Sequence, residues 1–301
     1  MAHAALEKKS PTEIATEGTL CIVGSPVCGK TMLLQVLETA TVHVVGHDHH
    51  DMSDIMDWHK NPLNNSPFMI QFSGQAEQNR RDGDLVNDLL VCQGLQYRLE
   101  QRQKERQTLM LHDDMARIRR LVLTGAPRTK GQYLTMKELL RHITLLGIDQ
   151  NEERANGMRL QRIKDGSARP DDLNEVAVRN RWKKYYQQTK PFMDWAQSEN
   201  LILMMKFRDS LLSKAIRAVN ALPNLTETES SSLHKQLLSD KCEAHWLIQK
   251  IDHPPLFKQY EETVLANPVY PWHYKWITQG KFKSKKASPA CSGDARDLLT
   301  A

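Results

Sequence analysis

Long apolar runs are missing from this 301-residue chain. No stretch approaches the roughly 18 consecutive apolar residues that a membrane-crossing helix needs, so no span is expected. The opening MAHAALEKKSPTEIATEG has no apolar centre of the kind a secretory signal carries. Residues 1–17 are therefore read as a flexible arm, and the protein as cytoplasmic. Cysteine is scarce. Cys21, Cys28, Cys92, Cys242 and Cys291 are odd in number and form no C-x-x-C pair. A disulfide framework or zinc knuckle is therefore not expected, and a reducing compartment fits. Charge of one sign is also in short supply: 41 basic residues face 36 acidic ones, for a net +5. The one dense basic run, Lys281, Lys283, Lys285 and Lys286, falls in a polar stretch read as a disordered tail, 280–301. A nucleic-acid polymer would call for a concentrated basic stripe, so it is not an expected partner.

Present instead are short apolar runs alternating with helical patterns. TLCIVG (19–24), TVHVVG (41–46), RLVLTG (120–125), HITLLGI (142–148) and LILMMKF (201–207) are apolar on successive positions. That pattern suits strands buried on both faces of a parallel sheet. Between them, Leu33, Leu34 and Leu37 share one helical face, and 172–199 reads as a long helix broken at Pro191. The His-rich stretch 47–75 reads as an irregular insertion. Beyond 208 the alternation stops and the chain reads as helical, with a helix start at Thr226 and Glu229 three positions on. The expected fold class is α/β: a P-loop three-layer sandwich with a five-stranded parallel sheet, a short lid and a helical C-terminal extension (208–279). That extension is offered to a possible protein partner through 208–301.

The strongest motif is Gly24-Ser25-Pro26-Val27-Cys28-Gly29-Lys30-Thr31, a full G-x-x-x-x-G-K-T between a strand and a helix. Such a loop turns backbone N–H groups onto phosphate oxygens at a positive helix end. These eight residues are the candidate ATP-binding loop. Lys30 would reach the β- and γ-phosphates, and Thr31 would offer its hydroxyl to the Mg²⁺ that accompanies ATP.

A second segment, Leu123-Thr124-Gly125-Ala126-Pro127-Arg128-Thr129-Lys130-Gly131-Gln132, resembles the D-G-F-P-R-T-x-x-Q signature of adenylate kinases. With it the region 18–207 resembles the nucleoside monophosphate kinase family. Gly83-Asp-Leu-Val-Asn-Asp88 resembles the family's turn before a helix. Arg159-Leu-Gln-Arg162 resembles its arginine helix, and Arg169-Pro-Asp171-Asp172 with Arg179-Asn-Arg181 the segment after the lid. Tyr186 to Thr189-Lys-Pro191 resembles its Y-x-x-T-x-P. The resemblance implies phosphoryl transfer from Mg-ATP to a nucleoside monophosphate, with AMP favoured because an amide at Gln132 can pair with adenine. It implies an acceptor-side subdomain over 47–90 and a short lid over 160–170. It also implies that Gly125, Arg128, Gln132, Arg169 and Arg181 face the acceptor. Lys30, Arg159 or Arg162, Arg169 and Arg181 would line the transfer path, neutralising two polyanions held in line.

Three departures stand out. Gly46 replaces the family's threonine, Asp51 its phosphate-holding arginine, and Thr124 the aspartate before G-F-P-R-T. They motivate an alternative, a diverged kinase-like ATP-binding protein with a regulatory role and no monophosphate kinase activity. The run His47, Asp48, His49, His50, Asp51 carries metal-ligating types. Adjacent residues seldom converge on one ion, and a polar loop is the expectation.

Overall fold

A computed structural model describes residues 17–41, 47–52, 55, 74, 78, 86–109, 118–164, 166, 172–206, 208–239 and 242–252. The chain divides into two units, Met1–Asp252 and His253–Ala301. The whole of the second, including the basic run at 281–286, lies outside the described residues, as does most of the arm over 1–17.

Five strands, β1 (Gly18–Gly24), β2 (His47–Asp51), β3 (Arg120–Thr124), β4 (Ile143–Asp149) and β5 (Ile202–Lys206), form one sheet in the order β2-β3-β1-β4-β5. Every pairing is parallel. Their carboxyl ends therefore share one edge, and the order reverses direction at β1. A crevice outside that edge is where open α/β sheets bind ligands.

Helices cover both faces. On one lie α1 (Lys30–Thr41), α7 (Leu211–Asn220), α8 (Glu227–Leu238) and α9 (Glu243–Asp252). On the other lie α2 (Asp88–Leu109), α3 (Lys130–Leu139), α5 (Glu175–Lys184) and α6 (Lys190–Ser198), whose buried residues join Cys21, Val23, Leu121, Leu123 and Leu145 in one core. Leu20 and Ile22 of β1, both fully buried, alternate with Cys21 and Val23 and so face the α1 side. A further helix, α4 (Glu152–Lys164), follows β4. Each aliphatic side chain enclosed this way contributes about 1.5–3 kcal/mol of transfer free energy, which explains why β1, β3 and β4 read as unbroken apolar runs.

The second strand departs from expectation. Thr41, expected to open the strand, instead ends α1, its hydroxyl donating to Leu37 O at 2.8 Å; β2 spans His47–Asp51, and 42–46 of the expected strand lie outside the described residues. An edge strand has a partner on one side only, and here polar side chains from neighbouring elements satisfy its polar residues. Arg102 Nε of α2 donates to Asp48 Oδ2 at 3.3 Å, and Arg106 donates to His47 O at 3.2 Å. Alternation along the strand sends Asp48 and His50 to one face and His47, His49 and Asp51 to the other. The run is therefore not a loop, and its ligating types are divided between two faces. Among the described residues no group of three or more His, Cys, Asp or Glu could hold a metal.

The expected break at Pro191 takes another form. A π-helical turn, Tyr185–Thr189, joins α5 to α6, with the Lys190 N–H reaching Tyr185 O. The wider turn accommodates a proline that has no N–H to donate. Trp182 and Tyr185 are buried edge to face with centroids 5.5 Å apart, as core packing predicts.

Helices α7–α9 pack onto the α1 side of the sheet. Their apolar residues Leu211, Val219, Leu233, Leu237, Leu247 and Ile248 are buried against α1 and one another. The rest of the stretch expected to meet a partner, 253–301, lies outside the described residues. Asp252, at the end of α9, accepts from the backbone N–H of Leu211 at 3.0 Å and so caps α7. The start at Thr226 forms a complete capping box with Glu229. Among the described residues no helix is long and apolar enough to cross a membrane.

Candidate functional site

Residues 24–31 join the carboxyl end of β1 to the first turn of α1, at the point where the strand order reverses. Gly24 adopts φ +154°, and a Cβ there would stand 2.0 Å from Ile148 O. Only glycine lets the loop leave β1 so close to β4. The loop is braced from β4. Ser25 N donates to Ile148 O at 3.2 Å, Gln150 N to Ser25 Oγ at 3.1 Å, and Gln150 Nε2 to Pro26 O at 2.9 Å. Val27 sits at φ +60°, a left-handed conformation that a β-branched side chain adopts at a cost. The resembled family favours glycine at this position.

Lys30 Nζ donates to Gly24 O at 3.0 Å, Ser25 O at 2.7 Å and Cys28 Sγ at 3.3 Å. Its ammonium thus lies within the turn formed by its own loop. Cys28 is buried at 2% exposure, as a small residue filling the loop. Thr31 Oγ1 donates to Asp51 Oδ2 at 3.0 Å, tying α1 to the end of β2. In register, Asp51 stands beside Thr124. The Thr124 hydroxyl is buried without a hydrogen-bond partner.

Gly125 and Arg128 follow β3, next to the loop end of β1. Arg128 is exposed, and its Nε donates to Gly125 O at 2.9 Å. Gln132 is buried, and its Oε1 accepts from Arg128 N at 2.7 Å. That amide oxygen braces the turn below Arg128, a use the sequence reading did not foresee. Thr129 caps α3 and passes its own proton to Asp88 Oδ2 at 2.8 Å.

The remaining arginines gather on Asp172, which is fully buried. Arg181 NH2 lies 2.9 Å from its Oδ1 and Arg162 NH1 3.8 Å from its Oδ2. Arg159 is 3% exposed and donates to Asn156 Oδ1 at 2.9 Å, Asp172 O at 2.7 Å and Glu175 Oε1 at 2.6 Å. Of the two candidates left open in the helix 159–162, Arg159 is the structural anchor and Arg162 the more exposed. Arg169 lies outside the described residues, as do 165, 167, 168 and 170 of the expected lid, whose first five residues, 160–164, belong to α4.

Sequence reasoning quoted Asp172 within a motif yet gave it no role, and it missed Asp149. Asp149, at the carboxyl end of β4, accepts a short hydrogen bond from Tyr185 OH and lies 3.4 Å from Lys190 Nζ. Burial, then the Asp149 hydrogen bond and charge, push the Tyr185 phenol far above its ordinary range, so it stays a donor. A separate cavity of about 520 Å³, lined by Tyr133, Lys137, Leu140, Arg141, His142 and Ile143, opens at the amino end of β4, the opposite edge from the loop.

No family model matches the chain, and no curated protein matches it. Among solved structures, a sugar kinase from Janibacter sp. HTCC2649 is similar with a TM-score of 0.40 and 10% identity, over 68% of this chain and 93% of that one. A gluconokinase from Sinorhizobium meliloti 1021 is similar with a TM-score of 0.39 and 11% identity, over 73% and 95%. Likenesses this distant carry no argument of their own. The fold reading rests on the strand order and on the loop at its reversal point.

Proposed function

We propose that this chain is an ATP-dependent phosphotransferase of the nucleoside monophosphate kinase kind. The preference for AMP, drawn from Gln132 alone, loses its ground because that amide is buried and its oxygen holds Arg128 N. The observation that carries the reading is the juxtaposition of two segments on neighbouring strands. The G-x-x-x-x-G-K-T loop leaves β1, and the turn bearing Arg128 leaves β3 at the same edge. In the reaction, an oxygen of the monophosphate attacks the γ-phosphorus of ATP. The bond to the β-phosphate oxygen breaks, and two diphosphates leave. Loop N–H groups and Lys30 hold the donor phosphates, and Arg128 holds the acceptor phosphate. Arg162 and Arg181, oriented by Asp172, supply positive charge beside the transfer path. Mg²⁺, held with ATP next to Thr31, would screen the phosphate charge. The polar set Thr31, Asp51 and Thr124, with its partnerless buried hydroxyl, suits a hydrated cation.

A coupled assay of ADP formation across AMP, CMP, UMP and GMP tests this. ATP-dependent turnover with at least one of them is expected, and Lys30→Ala is expected to remove it. A folded protein that binds ATP and phosphorylates none of them would refute the kinase reading.

A second reading, ATP binding without monophosphate kinase activity, is favoured by one observation. All three nitrogens of the Arg159 guanidinium are held by protein acceptors. Calorimetry separates the two: ATP binding with no binding of any monophosphate supports the second.

A further inference from the structure

Two of the chain's departures from the family it resembles meet at one place. Thr124 stands where an aspartate is expected, and Asp51 where a phosphate-holding arginine is expected. In the sheet these two residues are register partners on β3 and β2, so their side chains project from the same face, the one bearing α1. A carboxylate missing from one strand is present at the same level on the next.

Its surroundings suit a cation rather than an anion. Asp51 Oδ2 accepts the Thr31 hydroxyl proton at 3.0 Å. Donation to a carboxylate makes that hydroxyl oxygen a stronger ligand for a metal. Thr124 adds a hydroxyl that is 1% exposed and has no hydrogen-bond partner. Buried polar atoms without partners are few and call for water or an ion. Mg²⁺ retains several waters when it binds beside phosphates, and those waters need acceptors such as a carboxylate. Asp51 could not perform the arginine's task, since a carboxylate repels a phosphate.

We infer that Asp51 supplies the carboxylate that orders Mg²⁺ beside Thr31, in place of the one absent at 124. The inference rests on the nucleotide-binding reading of the loop.

The test is ATP binding by calorimetry in EDTA and in Mg²⁺, with electron paramagnetic resonance of Mn²⁺–ATP as a metal-specific signal. In the wild type, the metal is expected to tighten ATP binding by about tenfold or more. Asp51→Asn is expected to lose most of that tightening and to change the Mn²⁺ spectrum, while affinity in EDTA stays within about twofold. Adding Thr124→Asp to Asp51→Asn returns a carboxylate to the same level and is expected to restore the metal dependence. Should Asp51→Asn fail to fold, Asp51→Glu keeps the charge but moves it outward, and an intermediate dependence is expected. An unchanged metal effect in Asp51→Asn, or in its stead Asp51→Glu, overturns the inference and leaves the nucleotide reading standing. Equal loss of affinity with and without metal also overturns it, since the carboxylate would then serve the loop alone. A wild type that binds no ATP overturns the nucleotide reading as well.

Discussion

Replacing Arg120 probes how firmly α8 is tied to the sheet. This arginine opens β3 and is fully buried. Its Nε donates to Pro223 O at 3.0 Å and its NH2 to Asn224 O at 2.5 Å. Both terminal nitrogens grip Glu229 in a fork, each at 3.0 Å. Arg120→Met removes the cation and strands two partly buried carboxylates, Glu229 and Glu17, together with two carbonyls. Breaking such a pair from one side costs about 3–5 kcal/mol, a large share of an ordinary domain's stability. Arg120→Lys keeps the charge but cannot hold both carboxylate oxygens, and about 2 kcal/mol of loss is expected. Urea unfolding reads both, and a double-mutant cycle with Glu229→Gln isolates the pair. A coupling energy of about 2 kcal/mol is expected. A loss under about 1 kcal/mol for Arg120→Met, with no coupling, would refute the reasoning. Glu229 adds a pH signature. Burial works to raise its pKa, but hydrogen bonds from Thr226 and Arg120 and the Arg120 charge outweigh this and hold it at about 2, against an ordinary 4.5. The folded value is the lower one, so this stability is complete above the ordinary value and drains as pH falls toward the folded one.

Val27→Gly is expected to raise stability by about 1 kcal/mol by relieving the left-handed valine, measured as a higher urea midpoint; an unchanged midpoint would mean that φ +60° carries no strain. Arg159→Ala is expected to cost about 3 kcal/mol of stability, whereas Arg162→Ala is expected to change stability little and to slow turnover at least tenfold; the reverse pattern would exchange their roles. Acid is expected to loosen β2. Burial, then the Arg120 charge, lowers His47 to about 4, and burial with the neighbouring His47 lowers His49 to about 3, both from 6.5. Both are favoured neutral in the folded state, so their contribution is complete above 6.5 and is lost on the way down to those values. The slope is at most about 1.4 kcal/mol per pH unit for each. Melting temperature against pH should flatten in His47→Gln, and an unaltered slope would remove His47 from the explanation.

The central strands and the 24–31 loop were legible because both leave local signatures. Strands covered on two faces must be apolar at every position, and Gly24 must lack a side chain where β4 passes. Strand β2 was not legible, because the rule that finds buried strands fails at an edge. The polar run HDHHD became a strand through Arg102, Arg106 and Arg120, which are distant in sequence. Helices α7–α9 were found as helices, but no local pattern announces that their apolar faces meet α1. The arginines were nominated by type and order. Arg159 could not be told from Arg162 because the difference lies in Asp172 and Glu175, which belong to the next segment. Asp51 counted as a defect until register set it beside Thr124.

Helix α1 is gripped along both flanks, by the sheet on one side and by α7, α8 and α9 on the other. The turn that would hold phosphate is the tip of this rod. Its position is therefore set by segments more than 200 residues along the chain. Damage to the far helices would be felt at the tip even though none of their side chains need touch a ligand. Ligand gained at the tip would likewise steady those helices. Helices α7–α9 would in this sense be part of the seat of any ligand bound at the tip, acting through stiffness rather than contact.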